Sequence, residues 1–252
     1  MPFAICTVPV SPMRSEPFHV SEMTSQVLFG EVCEVLDKTP GGFLKLKTVH
    51  DGYEGFCTES QFRQVSIEPR DANLTGEWVN EVSFDGSIMK IPFGARIPEL
   101  DGLEYYGKTW NESDIVVGEE LVRTLSFMFL NTPYLWGGRS VFGADCSGFV
   151  QTVFMYMKVN LPRDAAHQAL KGESVGFLQE VNCGDLAFFD DPEGNIIHVG
   201  ILLTESSIIH AYGKVRVDKI DNEGIINTET GNRTHRLRLI KRFIQARPLS
   251  YQ

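Results

Sequence analysis

The segment NTPYLWGGRSVFGADCSGFVQ, residues 131–151, places a cysteine where a cysteine becomes a nucleophile. Gly137, Gly138 and Gly143 mark a loop with unusual backbone freedom. Asp145 is a good helix N-cap, which sets Cys146 in the first turn of the helix that follows. The unpaired N–H groups and positive dipole end of that turn favour an anion, so a thiolate is stabilised there. The same N–H groups, with that of Cys146 itself, suit the oxyanion of a tetrahedral intermediate. A thiolate in this role needs a base that takes its proton and returns it to a leaving amine. His198, in IIHVGILL, and His210, in SSIIHAYG, lie on successive strand-like runs. With the right hairpin register they share a face, so His198 could serve as the base and His210 orient it. A histidine on an apolar strand is more often a satisfied core residue, and spacing alone leaves the two readings open.

Those residues need a scaffold, and the pattern of the chain changes along its length to supply one. Residues 1–118 read as short strands, such as GGFLKLKTV and SIMKIPFGARIPELDG, separated by Gly, Pro, Asn and Asp. Runs of this length suggest small barrels, with boundaries near residues 66 and 118. Helical spacing follows in EELVRTLSFMFLNTPY, in DCSGFVQTVFMYMK with a stripe of Phe149, Val150, Val153, Phe154 and Met157, and in RDAAHQALKG, which Gly172 would stop. After Gly176 the strand pattern returns through DLAFF, IIHVGILL, SSIIHAYG, KVRVDKI and RLRLIKRFI. Helices followed by a strand meander make an α+β domain over 119–252.

Charge narrows the partners. The net charge of −10 is concentrated in residues 1–118, with 18 acidic and 9 basic residues, against 15 and 14 in residues 119–252. An acidic half of this kind disfavours nucleic acid and anionic wall polymers. Most of these acids are expected to be solvated surface. No apolar run reaches membrane-spanning length, so no membrane partner is expected. The first residues, MPFAICTVPVSPMRSEPF, have neither a basic n-region nor a long apolar core. A cytoplasmic location is therefore expected, or the cell envelope if a leader has been removed. The five cysteines fall singly, without metal-ligand spacing, and all but Cys146 are expected to be small buried hydrophobes.

Taken in order, PYLWGGRSVFGADCSGFVQ, LPRDAAHQ, GDLAFF, HVGILL and IIHAYG closely resemble the NlpC-type family of papain-like cell-wall cysteine peptidases. The resemblance covers residues 119–252. It implies a triad of Cys146, His198 and His210, with Tyr134 beside the nucleophile to assist the oxyanion or fix the cysteine. The N-terminal half extends the likeness less tightly. Two bacterial SH3-like barrels, over 1–66 and 67–118, ahead of such a domain resemble the γ-D-glutamyl-L-diamino acid endopeptidases of the YkfC-like group. That group implies peptidoglycan stem peptides with a free N-terminal L-Ala as substrates, the amine held by an acid and a Tyr of the first barrel and an Asp of the catalytic domain. Asp164, eighteen residues after Cys146, matches that Asp. Tyr53, in HDGYEGF, is the candidate Tyr, although Phe56 stands where Trp is expected, and Glu22 is the candidate acid. Ser147 and Arg163, next to Cys146 and Asp164 in the chain, complete the candidate substrate-binding set.

A carboxylate such as Asp164 paired with an ammonium in a sheltered cleft has its own physical sense. The pairing is a charge-assisted hydrogen bond, and acylating the amine leaves the carboxylate unpaired. Asp164 could equally pair with Arg163 or cap the helix after it. The implied mechanism requires no metal and no cofactor, and a monomer is expected. A zinc site from Cys146, His198 and His210 has no ligand knuckle behind it. Rival readings are an amidase or acyltransferase using the same Cys/His pair, and a non-catalytic module that binds wall peptides.

Overall fold

A computed structural model describes residues 2–65, 72–110 and 118–244. Chain contacts divide it into two compact units, the first comprising residues 1–112 with 135–144, the second 113–134 with 145–252. The expected boundaries near 66 and 118 fall on or beside residues outside the described ranges.

In the first unit, residues 3–65 form one antiparallel seven-stranded sheet. Its order is Met23–Leu28, Val10–Arg14, Glu54–Thr58, Phe43–Thr48, Val32–Lys38, Phe3–Cys6 and Phe62–Val65. Period-two patterning drives it: Leu44, Leu46 and Thr48 are buried while Lys45 and Lys47, alternating with them, are more exposed. The core gathers Ala4, Cys6, Met13, Val27, Cys33, Leu44, Leu46 and Cys57, so three of the five cysteines are small buried hydrophobes as expected. Cys183, in the second unit, departs from that expectation and is only half-buried. Residues 73–105 build two smaller sheets. Val79–Phe84 lies between Ser87–Pro92 and Leu103–Tyr105, and Asn73–Leu74 pairs with Arg96–Ile97. Asp85 and Gly86, at φ 50° and 77°, make the tight turn between the first two of these strands.

Residues 135–144 join this unit through a buried ion pair. Arg139 Nη1 and Nη2 each lie 3.0 Å from a different carboxylate oxygen of Glu31, and Nη1 also donates to the Gln26 carbonyl at 2.9 Å. Burial opposes the charge on Glu31, but Arg139, His50 and Arg96 outweigh it and hold the carboxyl below its ordinary range. Gly137 sits at φ +76°, and a Cβ there would lie 2.5 Å from the Met23 carbonyl oxygen, so this backbone approach requires glycine.

Among its described residues the second unit has three α-helices and a closed sheet. Helix α1 (Glu119–Phe127) and helix α2 (Cys146–Met155) follow the predicted spacing, and α3 (Ala165–Gln168) is a single turn. The predicted apolar residues of α2 are buried, and so are Ser147, Gln151 and Thr152 between them: all ten residues are buried, so this is a central helix rather than one with a solvent face. The strands Arg233–Arg242, Leu186–Asp190, Ile196–Thr204, Ser207–Tyr212, Lys214–Asp221 and Gly224–Ile226 pair in that order, and the last pairs back onto the first. Glu173–Val175 adds to the far end of Arg233–Arg242. The result is a small barrel with α2 packed against Ile196–Thr204.

Candidate active site

Asp145 caps α2 as its sequence position predicts, accepting a hydrogen bond from Gly148 N at 2.7 Å. Arg163 is committed to that cap. It lies 2.5 Å from one Asp145 oxygen and 3.0 Å from the other, and donates to Ser147 Oγ at 2.9 Å. Ser147 is buried with it, so both side chains support the nucleophile's turn, although sequence reasoning grouped them with the substrate binders. Asp164 is thereby released from its two structural alternatives. Arg163 pairs elsewhere, the Asp164 side chain makes no cap hydrogen bond, and its carboxylate is 45% exposed with His167 3.6 Å away.

Cys146 is 7% exposed, with backbone groups of Val199 and Ser147 at its sulfur. Val199 follows His198 directly, so the helix start and the histidine strand meet at the thiol. Burial, reinforced by Asp145, pushes the thiol up to about 12, against the pull of Val199, Arg163 and Ser147. Desolvation thus opposes the stabilisation of a thiolate that the helix terminus offers. This balance predicts a thiol beside a neutral imidazole at rest, ionising when the proton moves to a base. Cys146 alkylation by iodoacetamide is accordingly expected to accelerate steadily from pH 6 to 10. A plateau already reached below pH 7 would instead show a thiolate–imidazolium pair at rest.

The histidines meet by a diagonal step. Gly200 stands opposite His210, so His198, two residues back on the same face, reaches across the gap that a glycine leaves. His198 Nε2 lies 2.9 Å from His210 Nδ1, and both rings are buried. A Cβ at Gly200 would lie 2.9 Å from the His210 Cβ and 2.8 Å from Ile208 Cδ1. Gly200→Ala should displace His210 and lower turnover by about 10²-fold while far-ultraviolet circular dichroism stays native. Unchanged turnover would show that the register tolerates the extra carbon.

A second diagonal step continues the chain. His210 faces Arg216, and Asp218, two residues on, places Oδ2 3.1 Å from His210 Nε2. Sequence reasoning took KVRVDKI only as a strand and missed Asp218, because charges alternating with valines do not say which face turns inward. Only the barrel's closure turns that face inward. It also missed His235, whose ring stacks on His198 at 4.1 Å between centroids and 21° between planes. Burial lowers the pKa of all three histidines, that of His235 to about 4, so each imidazole is neutral at pH 7. Among the described residues these three imidazoles also place their potential ligand atoms within 4.8 Å of one another. In the arrangement described, His198 Nε2 is already engaged in a hydrogen bond with His210.

The remaining candidates divide between the units. Tyr134 is partly exposed in the second unit, its N–H bonded to the Gly213 carbonyl at 3.0 Å. Its hydroxyl is pushed up to about 12 by burial and then by Cys146 and Asp145. Tyr53 is half-buried against the first unit's core, and Glu22 there accepts a hydrogen bond from Trp136 Nε1 at 2.7 Å.

Residues 131–234 match the NlpC/P60 family, and residues 13–62 match the bacterial dipeptidyl-peptidase Sh3 domain. A γ-D-glutamyl-L-lysine dipeptidyl-peptidase of Bacillus cereus is 26% identical over 86% of this chain and 76% of its own length. One of the same description from Bacillus subtilis is 42% identical over 37% of this chain and 31% of its own length. A solved NlpC/P60 family protein from Bacillus cereus superposes with a TM-score of 0.80 at 19% identity, covering 96% of this chain and all of that one, which shows the shared fold.

Proposed function

We propose that this chain, which carries an NlpC/P60 peptidase domain behind a bacterial dipeptidyl-peptidase SH3 domain, hydrolyses the γ-D-Glu–diamino acid bond of peptidoglycan stem peptides bearing a free N-terminal L-Ala. The observation that carries the reading is a buried cysteine at a capped helix start, touching the strand of His198, whose ring is hydrogen-bonded to His210 on the neighbouring strand. With His198 Nε2 engaged by His210, Nδ1 is the nitrogen left to take the Cys146 proton. The thiolate then attacks the γ-carbonyl carbon, and the oxyanion is met by the Cys146 N–H and the Tyr134 hydroxyl. Collapse expels the diamino acid's amine, which receives the proton from His198, and leaves an L-Ala-γ-D-Glu thioester on Cys146. Water, deprotonated by His198, hydrolyses the thioester and regenerates the thiol.

Substrate choice rests on the exposed Asp164 carboxylate, which suits the ammonium of L-Ala. The family resemblance adds Tyr53 and Glu22 of the first unit as proposed binders of the same amine. The small sheets of residues 73–105 are read as a second SH3-like barrel, and the wall peptide as the partner of a single chain. The names of the Bacillus relatives, dipeptidyl-peptidases for γ-D-glutamyl-L-lysine, support the bond and the peptide class. Product analysis of L-Ala-γ-D-Glu-diaminopimelate, of the lysine analogue and of their N-acetylated forms tests this reading. Cleavage of the free-amine peptides alone, with discrimination lost in Asp164→Asn, is the expected result. Equal cleavage of acetylated peptide would remove the amine-binding role of Asp164, Tyr53 and Glu22.

A further inference from the structure

We infer that Asp218 is a positioning residue for catalysis, setting through His210 which nitrogen of His198 faces Cys146 without its proton. This inference rests on the reading of Cys146 and His198 as nucleophile and base.

The argument starts from what Asp218 can and cannot do. It is 1% exposed, and its Oδ1 accepts from Thr228 N at 2.8 Å, Thr228 Oγ1 at 2.8 Å and Arg216 Nη2 at 3.2 Å. Its Oδ2 lies 3.1 Å from His210 Nε2, and Arg216 Nε lies 2.9 Å from the same oxygen. Burial opposes ionisation, but the hydrogen bonds from His210, Thr228 and Arg216 outweigh it, and the carboxyl stays ionised far below neutral pH. An ionised carboxylate only accepts, so Nε2 of His210 must carry its hydrogen. A neutral imidazole has one N–H, so Nδ1 of His210 is a bare lone pair. Across 2.9 Å that lone pair requires the hydrogen of His198 on Nε2. His198 Nδ1 is then bare and ready for the Cys146 proton. Two diagonal strand pairs thus carry one instruction from Asp218 to the thiol, with Arg216 balancing the carboxylate's charge. What Asp218 transmits is hydrogen-bond polarity more than field.

The consequence inverts the usual rank of substitutions. In Asp218→Asn the amide oxygen is held at the Oδ1 position, where the Thr228 N–H and Arg216 Nη2 both donate. The amide NH₂ therefore faces His210 and donates to Nε2. Both imidazoles flip tautomer, and His198 presents an N–H to the thiol where a lone pair is needed. Asp218→Ala cannot donate and imposes no tautomer. A residue that merely supports the fold would show the opposite order, since Asn keeps the shape and Ala leaves donors unsatisfied.

The test has two arms. Long-range ¹H–¹⁵N correlation spectra of the full chain without substrate read the tautomers directly. Wild-type protein should show His210 protonated at Nε2 and His198 at Nε2, and Asp218→Asn should show both at Nδ1. In peptide hydrolysis, Asp218→Asn should lower kcat by about 10³–10⁴-fold with KM within about threefold, and Asp218→Ala should lose at least about tenfold less. A wild-type His210 protonated at Nδ1, or an Asn variant as active as Ala or more so, would overturn the inference. If Asp218→Ala does not fold, the wild-type spectrum and the isosteric Asn variant still decide it. Correct tautomers in a protein that cleaves no stem peptide would instead count against the proposed substrate and leave the role of Asp218 standing.

Discussion

Cys146→Ala and His198→Ala are each expected to lower turnover by about 10⁴-fold or more, and the double variant to lose little beyond either one. The two act as a unit: the thiol is buried and sits up to about 12, so without an acceptor at His198 it has no ready route to the thiolate. His198→Gln tests the same point with a side chain that can hydrogen-bond but cannot carry the proton. Steady-state kinetics on a free-amine stem peptide measures all three, with calorimetry to verify folding. Additive losses in the double variant would mean that the residues act in separate steps.

The largest effect on stability is expected at the buried pair Arg139–Glu31, which are 1% and 0% exposed. Removing either partner alone, as in Arg139→Met or Glu31→Leu, leaves a buried charge without its bidentate partner and should destabilise the first unit by about 3–5 kcal/mol. Removing both should restore most of that loss, because the pair's own attraction is largely offset by the cost of desolvating two ions. Urea unfolding followed by tryptophan fluorescence isolates the effect. Trp78, Trp110 and Trp136 all belong to the first unit, and none belongs to the second. Single variants no less stable than the double would show that the ion pair contributes nothing specific.

How much of this was legible beforehand depends on whether the signal was local. The N-cap at Asp145, helix starts near residues 119 and 146, and the strand meander after Gly176 follow from propensity and spacing over a few residues. The contact of His198 with His210 was conditional on register, and register depends on one glycine, Gly200, whose missing side chain leaves the gap. Arg163 illustrates a different limit. Its neighbour Asp164 was the obvious partner in sequence, yet the chain delivers it to Asp145, eighteen residues back, where the helix cap needs a countercharge. Residues 135–144 belong to the catalytic-domain motif and lie inside the NlpC/P60 match, yet their contacts group them with the first unit, where Arg139 pairs with Glu31. Asp218 and His235 needed closure of the barrel, a long-range event that period-two patterning does not encode.

The central claim is that Cys146 forms a covalent bond to the substrate's acyl group. Acid-quenched mass spectrometry of the protein mixed with excess L-Ala-γ-D-Glu-diaminopimelate tests it directly. The account predicts a transient adduct with the mass of L-Ala-γ-D-Glu less water, mapped to the peptide containing Cys146 and absent from Cys146→Ala. Hydrolysis that continues in Cys146→Ala, or an adduct carried on another residue, would contradict it.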